Sequence, residues 1–375
     1  ACLSPLAGGG SVAIAGEGGG NMADRSGVME AHSYEQNRGT AGALIEVRDL
    51  VKHFPVGSGL LGSLAGRRQC VQAVNGVSFD VRRGEVLGIA GESGCGKSTT
   101  AKLLLKLFEP TSGTIRFDGQ DLGTLKGPAL KAFRRRVQLM FQNPYESFSP
   151  RFTILRAVSE PLIIHRIGNA QERIERVRQA LQDVHLRPAD AFLHKYPHQL
   201  SGGQLQRVVL ARALVLEPDV LIADEPVSML DVSVRAGILN TLRELTARRN
   251  LTVIYISHDL SLIHYLCDTT AIMYLGQIVE MGPTTRIIND PQHPYTKALI
   301  AAIPVPEPGR PERALPIKGG IPSAIQMPRG CPFHPRCPSA MTICSMRLPP
   351  PVIVNGVEVR CFLHGGADLT STAAD

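Results

Sequence analysis

Several residue types and segments are absent from this 375-residue sequence or scarce in it. It has no tryptophan, and aromatic residues make up only 5% of it, which argues against a surface on which nucleic-acid bases stack. No stretch of about 18 uninterrupted apolar residues occurs, so the sequence predicts no membrane-spanning helix. The first 40 residues lack the basic start and compact apolar segment of a signal peptide. These absences predict a cytosolic protein.

The charge of the chain is modest and spread out. Its formal net charge is +7 at pH 7, and no dense run of like charge occurs. Such an excess is typical of a solvated surface, or of one that docks on an anionic membrane face or on a partner there. The sequence therefore predicts no nucleic-acid partner. In a cytosolic protein, the eight cysteines also require an explanation other than disulfides.

Strand and helix patterns alternate along the chain from Leu44 onward. Short apolar runs at 85–90 and 220–223 predict buried strands, and helical periodicity dominates between them. We therefore predict an α/β fold with a helical subdomain inserted in its core. The predicted parts are a disordered leader at 1–43, a core at 44–282 with a loop at about 55–70 and the helical subdomain at about 144–213, a small C-terminal module at 283–364 that contains four cysteines, and a disordered tail at 365–375.

A glycine-rich motif follows the predicted strand at 85–90. It fits the pattern G-x-x-x-x-G-K-[ST] and leads into a helical pattern, which is the context that a phosphate loop requires. Glycines let backbone N–H groups turn toward phosphate oxygens, and the helix adds the partial positive charge of its N-terminus. The lysine would reach the β- and γ-phosphates, and the serine hydroxyl would bind Mg²⁺. The residues of this loop are Gly91, Glu92, Ser93, Gly94, Cys95, Gly96, Lys97 and Ser98.

The phosphate loop alone leaves kinases, GTPases and other ATPases open, and two further motifs narrow the choice. Leu200 begins the segment Leu-Ser-Gly-Gly-Gln, about a hundred residues downstream and at the start of a helical pattern. The predicted strand at 220–223 then ends in two carboxylates, Asp224 and Glu225. Together these motifs resemble those of the ATP-binding subunits of ABC transporters, with a P-loop ATPase core and a helical subdomain that carries the signature. The resemblance implies that Asp224 holds Mg²⁺ and that Glu225 polarises the attacking water as general base.

The same resemblance implies further contacts with MgATP. Gln142 matches the glutamine that senses the γ-phosphate and Mg²⁺, and His258 matches the histidine that contacts the γ-phosphate. Phe54 matches the aromatic residue that stacks on adenine. Met229 stands where the family usually has alanine, a departure that we expect to be tolerated. The other residues that the resemblance places on the nucleotide are Thr99, Ser201, Gly203, Gln204 and Asp231.

In this family, the ATP on one subunit's phosphate loop is covered by the signature segment of a partner subunit. Ser201 and Gly203 would therefore serve the opposite nucleotide, since a serine hydroxyl and backbone N–H groups at a helix N-terminus bind anions. The resemblance thus implies a dimer, with either a second copy of this chain or a related ATPase. We favour the heterodimer because the family usually encodes two ATPases.

The C-terminal part of the sequence is rich in proline and contains four clustered cysteines. Four thiolates suit tetrahedral Zn²⁺ or an iron–sulfur cluster, and the cysteines could also be free thiols. The segment that begins at Asp290, Asp-Pro-Gln-His-Pro-Tyr-Thr-Lys-Ala-Leu, resembles the peptide/nickel-type ABC importers, and the insertion after Phe54 resembles the second, F-type ATPase of dipeptide and oligopeptide permeases. The resemblance implies a structural [4Fe–4S] cluster whose ligands are Cys331, Cys337, Cys344 and Cys361.

The function implied by the resemblance is ATP hydrolysis that energises import of dipeptides or oligopeptides. The subunit would sit peripherally on the cytoplasmic side of the membrane, with two transmembrane permease subunits as partners and a periplasmic or extracellular solute-binding protein as an indirect one. Nickel or another small solute is an alternative cargo, because the ATPase does not touch the solute. The sequence also leaves open a soluble ABC ATPase of DNA repair or translation, and a regulator without turnover. Intact Glu225 and His258 argue against the regulator.

Overall fold

The structure, a computed structural model, describes residues 42–56, 69–303 and 317–365. Most of the predicted leader at 1–43, of the predicted tail at 365–375 and of the predicted loop at 55–70 lies outside these residues. Within them, the strands form one four-stranded and one eight-stranded sheet. The strands are β1 (Ile45–Pro55), β2 (Cys70–Val81), β3 (Val86–Ala90), β4 (Ser112–Phe117), β5 (Gln120–Asp121), β6 (Val137–Met140), β7 (Val220–Asp224), β8 (Thr252–Ser257), β9 (Thr269–Tyr274), β10 (Gln277–Pro283), β11 (Val352–Val354) and β12 (Val357–Val359).

Helices and short 3₁₀ turns occupy all the regular structure between residues 144 and 214, where the sequence predicts the helical subdomain. The limits of the predicted domains stay predictions. No helix in the described ranges is both long and apolar enough to cross a membrane. The α-helices are α1 (Lys97–Leu104), α2 (Gly127–Arg136), α3 (Ile154–Ile164), α4 (Ala170–Asp183), α5 (Asp190–Leu193), α6 (Gly202–Leu214), α7 (Val232–Arg249), α8 (Leu260–Leu266), α9 (Thr284–Asn289), α10 (Pro294–Ala301) and α11 (Thr342–Met346).

The larger sheet has the strand order β11-β12-β10-β9-β3-β8-β7-β6. The five strands from β9 to β6 run parallel, whereas β10, β12 and β11 are antiparallel additions at one end. Every residue of β3, β8 and β9 is buried. Strands covered on both faces read as continuous apolar runs, which is why the sequence pattern predicts β3 and β7 correctly.

The two faces of the parallel strands pack into different hydrophobic cores. Leu221 and Ala223 of β7 belong to the core that includes α3, α4 and α6, while Val220 and Ile222 belong to the core shared with the four-stranded sheet. This alternation follows from the two-residue period of a strand. The sheet therefore lies between two hydrophobic cores. The carboxyl ends of the parallel strands β3, β7 and β8 lie along the same edge of the sheet.

The chain after residue 283 adds two strands to the larger sheet. Strand β12 pairs with β10, with Glu280 opposite Val359. Phe333 and Cys331 pack in the same hydrophobic core as Tyr274 of β9. The sequence predicts a small module of its own here from its frequent prolines and clustered cysteines. Strands of three residues are too short to show a period-two pattern, so β11 and β12 give no signal in the sequence. The structure instead joins this segment to the edge of the central sheet.

Candidate functional site

The phosphate loop connects the buried strand β3 to the N-terminus of α1, as the sequence predicts. The Lys97 side chain lies inside the loop, where its Nζ donates to the carbonyl oxygens of Gly91 at 2.7 Å and Glu92 at 3.1 Å. Lys97 is 5% exposed, so its ammonium is held at the loop and away from bulk water. A buried ammonium among backbone groups at a helix N-terminus is an arrangement suited to phosphate.

Two glycines of the loop lie where a side chain has no room. A Cβ on Gly96, which has φ 108°, would lie 2.3 Å from the carbonyl oxygen of Ala73. One on Gly91 would lie 2.2 Å from the carbonyl oxygen of Met273. The backbones of β2 and β9 therefore press directly on the loop, and glycine is required for that approach.

The end of β7 lies beside the start of α1. Burial raises the pKa of the Asp224 carboxylate, and the neighbouring Ser98 side chain opposes that rise. The Oδ1 atom of Asp224 is buried and has no hydrogen-bond partner in the described part of the chain. A buried, unpaired carboxylate oxygen next to a hydroxyl fits a hard cation such as Mg²⁺.

Three predicted catalytic residues meet at the same edge of the sheet. The Oε1 atom of Glu225 lies 3.0 Å from Nδ1 of His258, and Nε2 of Gln142 donates to Oε2 of Glu225 at 3.3 Å. Glu225 has φ 47°, an unusual backbone conformation for glutamate, and its N–H donates to the carbonyl of Ile256 on β8. Ends of β6, β7 and β8 thus bring the three side chains together around one carboxylate.

The signature segment lies at the N-terminus of α6. The Ser201 hydroxyl accepts from the Gln204 N–H at 3.3 Å, and Oε1 of Gln204 accepts from the Ser201 N–H at 3.1 Å, which makes a capping box. A Cβ on Gly203 would lie 2.4 Å from Val234 of α7, so the helices touch there. Asp231 is exposed immediately before α7. The described contacts of Ser201 and Gly203 are with their own helix and α7.

The positions of Phe54 and Thr99 do not test their predicted contacts with the nucleotide. The Phe54 ring packs edge-to-face on Phe108, with centroids 5.4 Å apart, and the Lys52 ammonium lies 5.1 Å from its centre. Lys102 of α1 lies 5.7 Å from the Phe108 ring, so the pair sits beside the helix that follows the phosphate loop. Thr99 is half-buried in α1. Stacking of Phe54 on adenine stays a prediction.

The four C-terminal cysteines line one cavity together with His293 and His334. Burial raises the pKa of Cys331 to about 12, and it also raises the pKa values of Cys337 and Cys361. These thiols are consequently protonated unless a cation replaces the protons. Across the described ranges, no three or more His, Cys, Asp or Glu side chains are arranged to hold a single metal ion.

Two residues at the site carry roles that the motifs do not predict. Arg336 forms an ion pair with Glu92 of the phosphate loop, and the Tyr295 hydroxyl accepts a hydrogen bond from the Glu92 N–H. Both residues lie in segments that the sequence identifies by resemblance, but that resemblance says nothing of a contact with the loop. Contacts across more than 200 residues leave no local pattern by which they could be found.

Comparisons with known proteins agree with this geometry. Residues 74–228 match the family described as ABC transporter, and residues 279–344 match the one described as oligopeptide/dipeptide transporter, C-terminal region. The oligopeptide transport ATP-binding protein AppF of Bacillus subtilis is 44% identical over 309 residues, which cover 82% of this chain and 92% of AppF. A Brucella ovis protein, provisionally named as a peptide import ATP-binding protein, is 47% identical over 82% of this chain and 93% of its own length.

A solved structure shows the same fold. The ATP-binding cassette MJ0796, determined as a dimer in a post-hydrolysis state with ADP and Pi, is 28% identical, with a TM-score of 0.56 over 64% of this chain and 98% of that one. The parallel sheet, the phosphate loop, the carboxylates at the end of β7 and the signature segment at the start of α6 define an ABC-type ATP-binding cassette. The chain belongs to the ABC transporter family, among the ATP-binding proteins that carry the oligopeptide/dipeptide transporter C-terminal region.

Proposed function

We propose that this protein is the ATP-hydrolysing subunit that energises an ABC importer of dipeptides or oligopeptides. The observation that carries the enzymatic part is the convergence of Gln142 and His258 on the Glu225 carboxylate, beside the Ser98–Asp224 pair. The peptide cargo rests on the relatives named for peptide transport. The same relatives favour peptides over nickel or another small solute as the cargo.

Each side chain of the site has a proposed task. Lys97 and the backbone N–H groups of the phosphate loop would bind the phosphates. Ser98 and Asp224 would hold Mg²⁺, which would supply positive charge next to the phosphates. Glu225 accepts the proton of the attacking water, and its hydrogen bonds with His258 and Gln142 aim its oxygens. Gln142 also ligates Mg²⁺, and His258 contacts the γ-phosphate.

The proposed assembly has two ATPase subunits and two permease subunits. The proposed nucleotide site of a second subunit would be completed by Ser201, Gly203, Gln204 and Asp231. Within the described chain, the contacts of Ser201 and Gly203 are with their own helix and with α7. The dimeric form of MJ0796 supports such a pairing. A related ATPase is the preferred partner, and the pair would sit peripherally at the cytoplasmic face of the membrane with the permeases.

The four cysteines are proposed to hold a [4Fe–4S] cluster. Cys331, Cys337, Cys344 and Cys361 line one cavity, and four thiols are the donor set that such a cluster takes. A cluster spreads its cysteine ligands over several iron atoms, so its thiols can lie further apart than the ligands of a single ion. When bound, the cluster would fix the conformation of this proline-rich segment.

Replacement of Glu225 by glutamine tests the enzymatic proposal. Glu225→Gln keeps the shape of the side chain and removes the base, so we expect ATP turnover to fall by at least about a hundredfold. MgATP binding should persist, because Lys97, Ser98 and Asp224 are unchanged. Phosphate release measures turnover, and equilibrium dialysis with MgATP measures binding.

A matched control is Glu175→Gln, which alters an exposed carboxylate of α4 that pairs with Arg178. This variant should hydrolyse ATP at the wild-type rate. Undiminished hydrolysis by the Glu225 variant would refute the assignment of Glu225 as the base. A wild-type protein that neither binds nor hydrolyses MgATP would refute the proposed function itself.

A further inference from the structure

Arg336, between Cys331 and Cys337, forms a two-pronged ion pair with Glu92 of the phosphate loop. Its Nη1 donates to Oε2 at 2.6 Å, and its Nη2 donates to Oε1 at 3.1 Å. The Arg336 side chain is 6% exposed and that of Glu92 is 25% exposed. Two parallel hydrogen bonds from a planar guanidinium fix the orientation of a carboxylate, and shielding from water strengthens them. The pair therefore fixes the direction of the Glu92 side chain.

A second contact holds the backbone of the same residue. The Glu92 N–H donates to the Tyr295 hydroxyl at 2.9 Å. Tyr295 is buried in α10, and its ring centroid lies 4.6 Å from that of Tyr274 and 5.4 Å from that of Phe333. The hydroxyl is thus carried by a rigid aromatic group. Both the side chain and the amide of Glu92 are held by the C-terminal part of the chain.

Glu92 contacts the lysine that would bind the phosphates. Its carbonyl oxygen accepts from Lys97 Nζ at 3.1 Å, next to the bond from Lys97 to Gly91. A shift of the Glu92 peptide would move this carbonyl and the ammonium with it. A small change at Arg336 can therefore reach the phosphate site through one residue.

We propose that Arg336 is a positioning residue for the phosphate loop. By holding Glu92, it sets the loop conformation that binds the nucleotide phosphates, and it couples the four-cysteine segment to nucleotide affinity. This proposal rests on the proposed function, because it needs a nucleotide at residues 91–98. Within the described residues, the Arg336 side chain donates to Glu92 and to the Tyr274 hydroxyl, which lies 3.5 Å from Nη1.

The test compares Arg336→Met, Glu92→Gln and the double variant in the full-length protein. Calorimetry with MgADP gives Kd, and steady-state ATP hydrolysis gives KM and kcat. Arg336→Met removes both charged hydrogen bonds, so Kd and KM should rise by about tenfold or more. The kcat value should change by less than about threefold, since Glu225 and His258 are untouched. The Kd of the double variant should be no higher than that of the single variant with the higher Kd, because the two residues act through one interaction.

Two milder variants keep the test decisive if Arg336→Met fails to fold. Arg336→Lys retains the charge but loses the planar fork, and we expect an intermediate Kd. Tyr295→Phe removes only the hydroxyl that accepts from Glu92 and should raise Kd severalfold. The control is Arg178→Met, which breaks an exposed pair with Glu175 and Asp190 on α4 and α5 and should leave Kd unchanged.

A folded Arg336→Met or Arg336→Lys variant with wild-type Kd would overturn the proposal, as would single-variant effects that multiply in the double variant. These outcomes differ from failure of the proposed function. If only the inference is wrong, the wild-type protein still hydrolyses ATP and Glu225→Gln is still inactive.

Discussion

At the scale of single residues, burial decides what the ionisable groups of this protein can do. Burial raises the pKa of the Asp224 carboxylate, one oxygen of which has no partner among the described residues, and it raises the pKa of the Cys331 thiol to about 12. A bound cation would stabilise the charged form of either group. Burial thus has the same effect on the pKa at the proposed nucleotide site and in the C-terminal cavity.

The cysteine site gives a prediction about metal content. Protein purified without oxygen should contain iron and sulfide in equal amounts and absorb visible light as a brown solution. Cys337→Ser should lose most of the iron, because it removes one of four ligands. Elemental analysis and absorbance spectra check both expectations.

The control for the cysteine prediction is Cys70→Ser, which changes a cysteine on β2 outside the cavity and should keep the iron. Stoichiometric zinc without iron would contradict the cluster. So would a metal-free protein whose four thiols all react with a thiol reagent.

At the scale of elements, α10 is attached to the sheet through a buried carboxylate. Glu280 of β10 is fully buried, and it accepts from the N–H groups of Gln292 at 2.7 Å and His293 at 3.0 Å. Burial raises the pKa of Glu280, and these bonds oppose the rise. The carboxylate thus satisfies backbone donors at the start of the helix that carries Tyr295.

Glu280→Leu should therefore destabilise the protein strongly. It leaves two buried donors without a partner, and each costs about 1–3 kcal/mol. Urea unfolding should show a free energy of unfolding lower by roughly 2–6 kcal/mol. The control is Asn169→Ala, which removes an exposed capping side chain from α4 and should cost about 1 kcal/mol. Equal losses for the two variants would show that Glu280 is an ordinary cap.

The elements differ in how far the sequence predicts them. Strands β3 and β7 are predictable because burial on both faces leaves continuous apolar runs, and the phosphate loop follows from its motif. Gln142 and His258 follow from their positions in a known pattern. The pairing of β12 with β10 and the contact of Arg336 with Glu92 are unpredictable, because both join segments far apart in the chain and neither has a local period or motif.

At the scale of the whole molecule, the signature implies a second chain. Ser201 is exposed at the start of α6, where a large charged side chain would meet any partner that lies over it. We expect the Glu225→Gln variant to dimerise with a companion ATPase when MgATP is present. Ser201→Arg, placed in this chain as well, should abolish the dimer while the phosphate loop still binds nucleotide. Size-exclusion chromatography with light scattering measures the assembly.

The control for this prediction is Asn169→Arg, since Asn169 forms the same kind of capping box at the start of α4. This variant should dimerise normally. A dimer that survives Ser201→Arg would contradict a role of the signature between subunits. Dimerisation of the isolated chain would contradict only the preference for a heterodimer.

The contacts of Glu92 also determine at which point of its synthesis the subunit becomes able to bind nucleotide tightly. Its two partners lie 203 and 244 residues further along the chain. Ribosomes add about 5–20 residues per second, so Arg336 is synthesised roughly ten to fifty seconds after the phosphate loop. A nascent chain that stops short of Arg336 already contains the phosphate loop, the signature and Glu225, yet it lacks the side chain that holds the loop. Tight binding of nucleotide is thus confined to subunits whose synthesis has passed Arg336.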